Sequence, residues 1–174
     1  KNGYAYVADS YSGLQIIDVS NPKDIKLTGT CYTSGWAYDV YVEGRYAYLA
    51  DYRSGLQIID IQNPKQPELI GTCRTDGTAY GIWVSGQYAY LADGVNGLKI
   101  IDVSNPNSPR LVGTYDTKNK AYDVQVVGKY AYVADGQGSG LQIIDVSNPA
   151  APKLVSSCTT PCIASKIYVA DGYV

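Results

Sequence analysis

A motif of about twenty residues recurs four times in this chain of 174 residues and constrains its fold more than any other feature. Each copy reads Tyr-Ala-Tyr-(Val/Leu)-Ala-Asp, then a short loop, then Gly-Leu-(Gln/Lys)-Ile-Ile-Asp, and it ends on Asn-Pro. The four copies occupy residues 4–22, 46–64, 88–106 and 130–149. Landmarks outside the motif keep the same period of about 42 residues, which indicates that the chain is built from four equivalent units.

Each unit predicts four short strands. In the first unit they are expected at residues 4–8, 14–19, 27–32 and 38–42. Tyrosine and β-branched residues favour strands, and the glycine loops and the Asn-Pro turn between these segments end them. No segment has the apolar period of a helix. Four antiparallel strands in some 42 residues are typical of one blade of a β-propeller, so the predicted fold class is all-β.

The ends of the chain leave two architectures open. The units span about 3–43, 44–85, 86–127 and 128–171. The chain opens just after the place of a strand such as 38–42, so the blade that starts at residue 4 is without its innermost strand. A segment at 167–170 aligns with the innermost strand of the other units. Four blades closed into a ring by this C-terminal strand would complete the first blade. A segment of a larger propeller is the alternative.

The composition restricts the classes of function. There are 16 acidic and 14 basic residues, a net charge of −2 and no basic run, which argues against binding of nucleic acid or of an anionic membrane surface. No apolar stretch has the length of a transmembrane helix, and no leader sequence precedes the first unit, so no membrane insertion is predicted. Histidine, the commonest general base and metal ligand, is absent from the sequence, which disfavours an enzyme.

The repeat, with its Ile-Ile-Asp-Val-Ser-Asn-Pro core, resembles the LVIVD repeat family over essentially the whole chain. The resemblance implies a β-propeller of a secreted or surface-attached bacterial or archaeal protein, and it supplies no catalytic residues. We therefore expect an extracellular or cell-surface module without catalytic activity that binds a protein or a ligand, or acts in adhesion or assembly. Members of the family usually have more than four repeats, which favours a longer propeller or an assembly of chains.

The alternative hypothesis, that the chain is an enzyme, depends on two carboxylates. Asp39 and Asp123 stand at the start of predicted innermost strands, where the other units have Gly81 and Lys166. Two carboxylates about 5–10 Å apart at the mouth of the channel would suit a carbohydrate-active hydrolase or lyase. A solvated rim with a salt bridge to Lys166 is the simpler interpretation.

Aspartates that recur in every unit are interpreted as structural, because a carboxylate beside a turn accepts hydrogen bonds from loop N–H groups. One set follows the first strand of the motif and the other precedes the Asn-Pro turn: Asp9, Asp51, Asp93 and Asp135, and Asp18, Asp60, Asp102 and Asp145. Calcium is the cofactor that the first set suggests, but these loops offer too few oxygen ligands for it. We expect no cofactor and no metal.

Aromatic residues that do not recur are the candidates for binding. Tyr11, Trp36 and Tyr52, with Arg53, are predicted to form a loop surface that stacks on a sugar or binds a protein. Recurrent tyrosines are interpreted as packing residues instead: Tyr38, Tyr80 and Tyr122.

Four cysteines invite a disulfide. Cys31, Cys73 and Cys158 hold equivalent positions in three units, and such positions on adjacent blades are too far apart for a bond. Cys158 and Cys162 can meet across a short turn, and an exported location would oxidise them. We predict this disulfide, with Cys31 and Cys73 as buried thiols; the paired Cys-x-x-Cys hooks of a zinc site are absent.

Self-assembly is a further alternative. An incomplete blade or an exposed edge strand can pair with a neighbouring chain, which would make the protein a structural subunit of a homo-oligomer.

Overall fold

The computed structural model describes residues 3–170, and its chain forms four successive antiparallel sheets. The first sheet has three strands and each of the others has four, which confirms the all-β propeller prediction. Residue 171, the predicted end of the last unit, lies outside the described residues.

Blade 1 consists of β1 (Tyr4–Ala8), β2 (Leu14–Asp18) and β3 (Lys26–Cys31); blade 2 of β4 (Asp39–Glu43), β5 (Tyr46–Ala50), β6 (Leu56–Asp60) and β7 (Glu68–Cys73); blade 3 of β8 (Gly81–Ser85), β9 (Tyr88–Ala92), β10 (Leu98–Asp102) and β11 (Arg110–Tyr115); and blade 4 of β12 (Asp123–Val127), β13 (Tyr130–Ala134), β14 (Leu141–Asp145) and β15 (Lys153–Cys158).

Within a blade the strands follow one another from the inside to the outside of the propeller. In blade 2, β4 pairs with β5, β5 with β6, and β6 with β7. The first strands of blades 2, 3 and 4 pack against one another and are therefore the innermost. The loop after β13 contains one short helical turn, α1 (Gly136–Ser139). No helix in the described part of the chain is long and apolar enough to cross a membrane.

The hydrophobic core lies between the blades. We call the face of a blade that meets the next blade in the chain its trailing face, and the opposite face its leading face. Neighbouring residues of a strand point to opposite faces, so Ile58 of β6 serves the trailing face and Ile59 the leading face. The Ile-Ile pair of each repeat thus fills two junctions, and full burial of each side chain contributes about 1.5–3 kcal/mol.

The same side chains meet at each of the three junctions. Between blades 2 and 3, trailing-face residues Ala50, Leu56 and Ile58 form one cluster with leading-face residues such as Leu91 and Ile101. Equivalent clusters join blades 1 and 2 and blades 3 and 4. Each junction therefore repeats one set of contacts.

Glycine allows the outer strand to approach the next blade. A Cβ atom at Gly71 would lie 2.0 Å from the carbonyl oxygen of Pro106, which belongs to the Asn-Pro turn of blade 3. A bulge between Ile58 and Ile59 bends the pairing of β6 with β7 at this point. Gly29 and Gly113 hold the same position in blades 1 and 3. The glycine of one unit and the proline turn of the next specify the same contact.

The aspartates before the Asn-Pro turns tighten those turns, as predicted. The carboxylate of Asp18 accepts hydrogen bonds from the hydroxyl and the backbone N–H of Ser20, at 2.6 and 2.9 Å. Both bonds lower the pKa of Asp18, and the bond from the hydroxyl has the larger effect. The backbone N–H of Gln62 makes the same bond to Asp60, which also pairs with Arg45.

Residues 164–170 continue the arc of blades beyond blade 4. The backbone N–H of Val169 donates to Gln125 of β12 at 2.8 Å, and the Gln125 amide donates to the Val169 carbonyl at 3.1 Å. The segment thus lies beside β12, where the innermost strand of a following blade would stand. Among the strand pairs of the described residues, β1 pairs with β2 alone. Completion of blade 1 by residues 167–170 stays a prediction.

The predicted disulfide is not formed in this structure. Cys158 and Cys162 are exposed free thiols, and the Cys158 thiol donates to the Thr159 carbonyl at 3.8 Å. The reason is the backbone pairing of Ala164 with Gly136, which carries Cys162 away along the path to the next blade position. Cys31 and Cys73 are buried free thiols, as predicted.

Candidate ligand-binding surface

Buried aspartates hold the crossovers that lead from one blade to the next. The carboxylate of Asp51 in blade 2 accepts hydrogen bonds from the Thr33 hydroxyl at 2.9 Å and from the Gly35 N–H at 3.0 Å, both in the crossover from blade 1. The prediction had placed such donors in the loop of the aspartate itself. The two donors from the preceding blade occupy both carboxylate oxygens, and the Ser54 side chain in the loop of the aspartate itself donates a further hydrogen bond.

The equivalent aspartates of blades 3 and 4 are also buried. Asp93 accepts a hydrogen bond from the Thr75 hydroxyl at 2.7 Å, and burial raises its pKa to about 6. Asp135 accepts one from the Asn119 N–H at 3.2 Å. No group of three or more His, Cys, Asp or Glu side chains suited to a metal ion occurs within residues 3–170.

A backbone pairing fixes each crossover at its end, and in blade 2 it involves a strained residue. Tyr52 pairs with Ala79 and has φ +50°, in the left-handed region. The same position is filled by Ser10 in blade 1, with φ 47°, and by Gly94 and Gly136 in blades 3 and 4, with φ of 62° and 58°. A bulky residue there costs about 1–3 kcal/mol and marks a candidate functional site.

The ring of Tyr52 belongs to a continuous line of aromatic side chains, which we call the aromatic row. Trp36 stacks on Tyr52 with 5.1 Å between ring centroids and an angle of 17°, and Tyr11 meets Trp36 edge-on at 6.3 Å. The line continues from Tyr52 over the tyrosines that precede the innermost strands, with centroid separations of 5.9, 5.1 and 5.3 Å: Tyr38, Tyr80 and Tyr122. It runs from the first blade to the fourth along one rim of the propeller.

The aromatic row is open to solvent and has two cations beside its rings. Tyr11 is 74% exposed, and Trp36 is 45% exposed. The Arg53 guanidinium lies 5.6 Å from the centroid of Tyr52. The ammonium of Lys120 lies 4.5 Å from the centroid of Tyr80, and its hydrogen bond to the Tyr80 phenol raises its pKa. Exposed rings with charged and hydroxyl groups beside them offer both stacking and hydrogen bonding.

The structure brings together all four residues of the predicted surface. Trp36 contacts both Tyr11 and Tyr52, and the Arg53 guanidinium lies beside the Tyr52 ring. The recurrent tyrosines interpreted as packing residues extend the same surface. Lys120 was not singled out by the sequence, because it stands at a crossover position where every unit has a different residue.

The two candidate catalytic carboxylates each join neighbouring innermost strands. The carboxylate of Asp39 accepts the N–H of Val40 at 2.9 Å and, with its other oxygen, the N–H of Ile82 in blade 3 at 3.0 Å. Asp123 repeats the arrangement with Val124 at 3.0 Å and Ile167 at 3.1 Å. All four oxygens are thus used to hold strands in place.

Asp123 has further neighbours that fit the interpretation as a rim ion pair. Lys166 lies 3.7 Å from its carboxylate. Burial is the main cause that raises the pKa of Asp123, and the nearby charge of Asp39 adds to it. Gly81 leaves room for this carboxylate, since a Cβ there would lie 2.7 Å from its oxygen. Trp83, beside these strands, is half-buried and lies 5.0 Å from Tyr41.

Comparison with protein families identifies the repeat. The LVIVD repeat model matches four times, over residues 1–33, 34–75, 76–117 and 119–160. Comparison with curated proteins gave no match.

Solved structures show the same fold at low sequence identity. The computationally designed Ika8 protein superposes with a TM-score of 0.71 at 6% identity, over 94% of this chain and 48% of that one. Hydrazine synthase of Kuenenia stuttgartiensis gives 0.69 at 19% identity, over 88% and 46%. A functionally unknown protein from Desulfotomaculum acetoxidans gives 0.67 at 15%, over 92% and 56%. The chain therefore spans about half the length of these structures.

Proposed function

The chain belongs to the LVIVD repeat family, and we propose that it is a non-catalytic module that binds glycans through the aromatic row. The observation that carries the proposal is Tyr52. Its unit keeps a tyrosine in a left-handed backbone conformation where two other units have glycine, and the strained residue stacks on the exposed ring of Trp36.

The chemistry of the aromatic row suits a sugar. A pyranose ring presents C–H groups on its faces and hydroxyl groups around its edge. Aromatic faces carry partial negative charge and attract the C–H groups. Tyrosine hydroxyls, Arg53 and Lys120 lie beside the rings and supply hydrogen bonds to the hydroxyl groups. An uninterrupted line of rings across several blades suits an extended chain of sugar units better than a single small molecule.

The carboxylates support a role without catalysis. A hydrolase needs one carboxylate to donate a proton and another to act as base or nucleophile. Asp39 and Asp123 each use both oxygens as acceptors for backbone N–H groups. The proposed location is extracellular or at the cell surface, where polysaccharides are abundant.

Affinity electrophoresis tests the proposal, with a neutral β-glucan, a mannan and an acidic polysaccharide as separate probes in the gel. Wild-type protein is expected to be retarded by at least one of them. Trp36→Ala and Tyr52→Gly should each weaken retardation tenfold or more, since loss of a stacked ring removes about 1–3 kcal/mol at a binding hot spot. Tyr32→Ala is the matched control, because Tyr32 is 75% exposed but lies outside the aromatic row.

A fluorescence titration supplies a second readout. Trp36 and Trp83 are the two tryptophans of the chain, so Trp83→Phe isolates the signal of the exposed one. Its emission should shift as glycan binds. Failure of every polysaccharide to bind, or equal loss of binding in Tyr32→Ala and Trp36→Ala, would overturn the proposal. Capture of a protein ligand at the same residues would replace the glycan by a protein partner.

A further inference from the structure

Lys120 is a half-buried cation that two rings of the aromatic row hold in place. Its ammonium lies 4.5 Å from the ring centroid of Tyr80 and 5.1 Å from that of Tyr122. Both phenols accept hydrogen bonds from it, and the bond to Tyr80 is the largest cause that raises its pKa. A lysine ammonium has three N–H groups. One N–H group therefore remains for a ligand.

No carboxylate among residues 3–170 forms an ion pair with Lys120. Lys129 shows the contrast, because its ammonium also lies near a tyrosine, 5.2 Å from the centroid of Tyr130, but is neutralised by Asp145 at 3.9 Å. Ion pairs neutralise three further cations of the described residues: Lys26 with Asp24, Arg45 with Asp60, and Lys166 with Asp123. The positive charge of Lys120 is thus available to an anion from solution.

The crossover that carries Lys120 is fixed on both sides of it. The Asn119 N–H donates to Asp135 at 3.2 Å, and the Asn119 side-chain amide donates to the Ser139 hydroxyl at 2.7 Å. On the other side, Ala121 pairs with the backbone of Gly94. A binding group that is already held in position loses little conformational entropy when a ligand binds.

The position of Lys120 in the repeat is the one that Trp36 holds between blades 1 and 2. Each precedes an alanine that pairs with the loop of the blade before it, Ala37 with Ser10 and Ala121 with Gly94. One position of the repeat thus presents an aromatic face in one crossover and a positive charge in another. A ligand that spans both needs C–H groups for Trp36 and a negative group for Lys120.

An open groove of about 550 Å³ lies beside Lys120, and we call it the lysine groove. Its charged residues are Lys118, Lys120 and Asp116, so it has a net positive charge although the chain as a whole has a net charge of −2. Val95, which is 68% exposed, adds an apolar wall. Sites for small ligands usually have volumes of about 300–1,000 Å³. The lysine groove therefore has the size and the charge to take one anionic sugar unit.

We propose that the glycan on the aromatic row is anionic, and that the negative group of one of its sugar units binds Lys120 in the lysine groove. This inference rests on the proposed function, since it takes the aromatic row as the glycan-binding surface. The carboxylate of a uronic acid and a sulfate ester share the required chemistry, because both offer negative oxygens for a charge-assisted hydrogen bond. The sugar units that follow continue over the rings towards Trp36.

Isothermal titration calorimetry with two matched pairs of glycans tests the inference. Oligogalacturonate and its methyl ester differ only in the charge of the carboxyl groups, and dextran sulfate and dextran differ in the sulfate groups. Wild-type protein is expected to bind the charged member of at least one pair about tenfold more tightly than the neutral member, because a hydrogen bond to a charged group is a strong one. The pair that shows the preference identifies carboxylate or sulfate as the group, and preference in both pairs means that either serves.

Variants of lysine locate the interaction. Lys120→Gln should bind the charged glycan no more tightly than the neutral one, with binding of the neutral one unchanged, and Lys120→Arg should keep the preference. Lys129→Gln is the matched control and should behave as wild type, because Asp145 already neutralises Lys129. Asp116→Asn removes the negative charge of the lysine groove and should tighten binding of the charged glycan about twofold.

Three results would overturn the inference: no preference for the charged member in either pair, an unchanged preference in Lys120→Gln, or an equal loss in Lys120→Gln and Lys129→Gln. Circular dichroism must show that each variant is folded. Asp116→Asn keeps the inference open to refutation should Lys120→Gln fail to fold, since unchanged binding in that variant would also count against it. Neutral glycans that bind wild-type protein but not Trp36→Ala would leave the proposed function standing when the charge preference fails.

Discussion

Asp93 makes the stability of the protein depend on pH in a direction that can be worked out from its surroundings. The side chain is 0% exposed, and one carboxylate oxygen accepts the Thr75 hydroxyl, while the other has no hydrogen-bond partner within residues 3–170. Burial therefore raises the pKa from 3.8 to about 6. A carboxyl group whose pKa is raised on folding binds its proton more tightly in the folded state. The free energy of unfolding thus increases as pH falls through 6 towards 3.8.

The size of the effect follows from the two pKa values. A difference of roughly 2 units corresponds to about 3 kcal/mol once the group is protonated in both states. Between about pH 7.5 and pH 5 the folded state takes up most of its proton and the unfolded state takes up little, so about 1.4 kcal/mol of stability is gained.

Urea unfolding of wild-type protein and Asp93→Asn at these two pH values measures this contribution. The asparagine cannot ionise but still offers an oxygen to Thr75. Turn aspartates such as Asp18, whose pKa is lowered, lose stability as pH falls, and they contribute equally to both proteins. The gain of about 1.4 kcal/mol should therefore appear as a difference between wild type and variant. The exposed Asp116, whose charge does not contribute to the pKa shift of Asp93, is the control, and Asp116→Asn should keep the wild-type pH dependence. Identical pH dependence in wild type and Asp93→Asn would refute the assignment.

Three further outcomes are expected. Gly71→Ala should lower the free energy of unfolding by about 2 kcal/mol, because the added methyl group overpacks against the next blade. Gly86 has open space around it and φ +60°, so Gly86→Ala should cost only about 1 kcal/mol. An equal loss of stability in urea unfolding of the two variants would contradict the close contact at Gly71. Asp39→Ala should cost about 1–3 kcal/mol by leaving the Ile82 N–H without its acceptor, and unchanged stability would show that the carboxylate does not join the strands. Thiol labelling followed by mass spectrometry should modify the exposed Cys158 and Cys162 well before the buried Cys31 and Cys73. Burial raises the pKa of both buried thiols, which lowers their reactivity.

The architecture was predictable because every unit repeats the same sequence pattern. Predicted strand limits in the first unit differ from the observed ones by at most one residue. The second strand ends at Asp18 rather than residue 19, the third spans Lys26–Cys31 rather than 27–32, and the fourth spans Asp39–Glu43 rather than 38–42. The paired isoleucines of the motif predicted a strand apolar on both faces, and both faces of β6 are buried between blades. Because the pattern recurs in four units, each of these features is indicated by several copies of the sequence.

The candidate surface was predictable only in part, and its role in binding stays a prediction. Residues that break the repeat, such as Trp36 and Tyr52, stand out from their counterparts in other units, and alignment with Gly94 and Gly136 would also have revealed the strained backbone of Tyr52. Recurrence of Tyr80 in the other units suggested packing. A position that faces the rim recurs as regularly as one that faces the core, so recurrence alone does not separate the two.

The disulfide prediction was wrong for a reason that spacing does not reveal. Three residues between two cysteines allow a turn, but backbone pairing at Ala164 sets the course of this loop. The same pairing occurs at Ala37, Ala79 and Ala121, so the crossover follows the path common to all units.

Placement of the core between blades has a consequence for how the molecule opens. Each hydrophobic cluster is formed by two adjacent blades. When one blade unfolds, its neighbour therefore loses the apolar contacts on the face that they shared. Stability in such arrays is the sum of unit and nearest-neighbour terms. Amide hydrogens of central strands such as β6 and β10, which are buried between two blades, should exchange with solvent far more slowly than those of the largely exposed outer strands β7 and β11. The repeat thus gains its rigidity from the contacts between neighbouring blades.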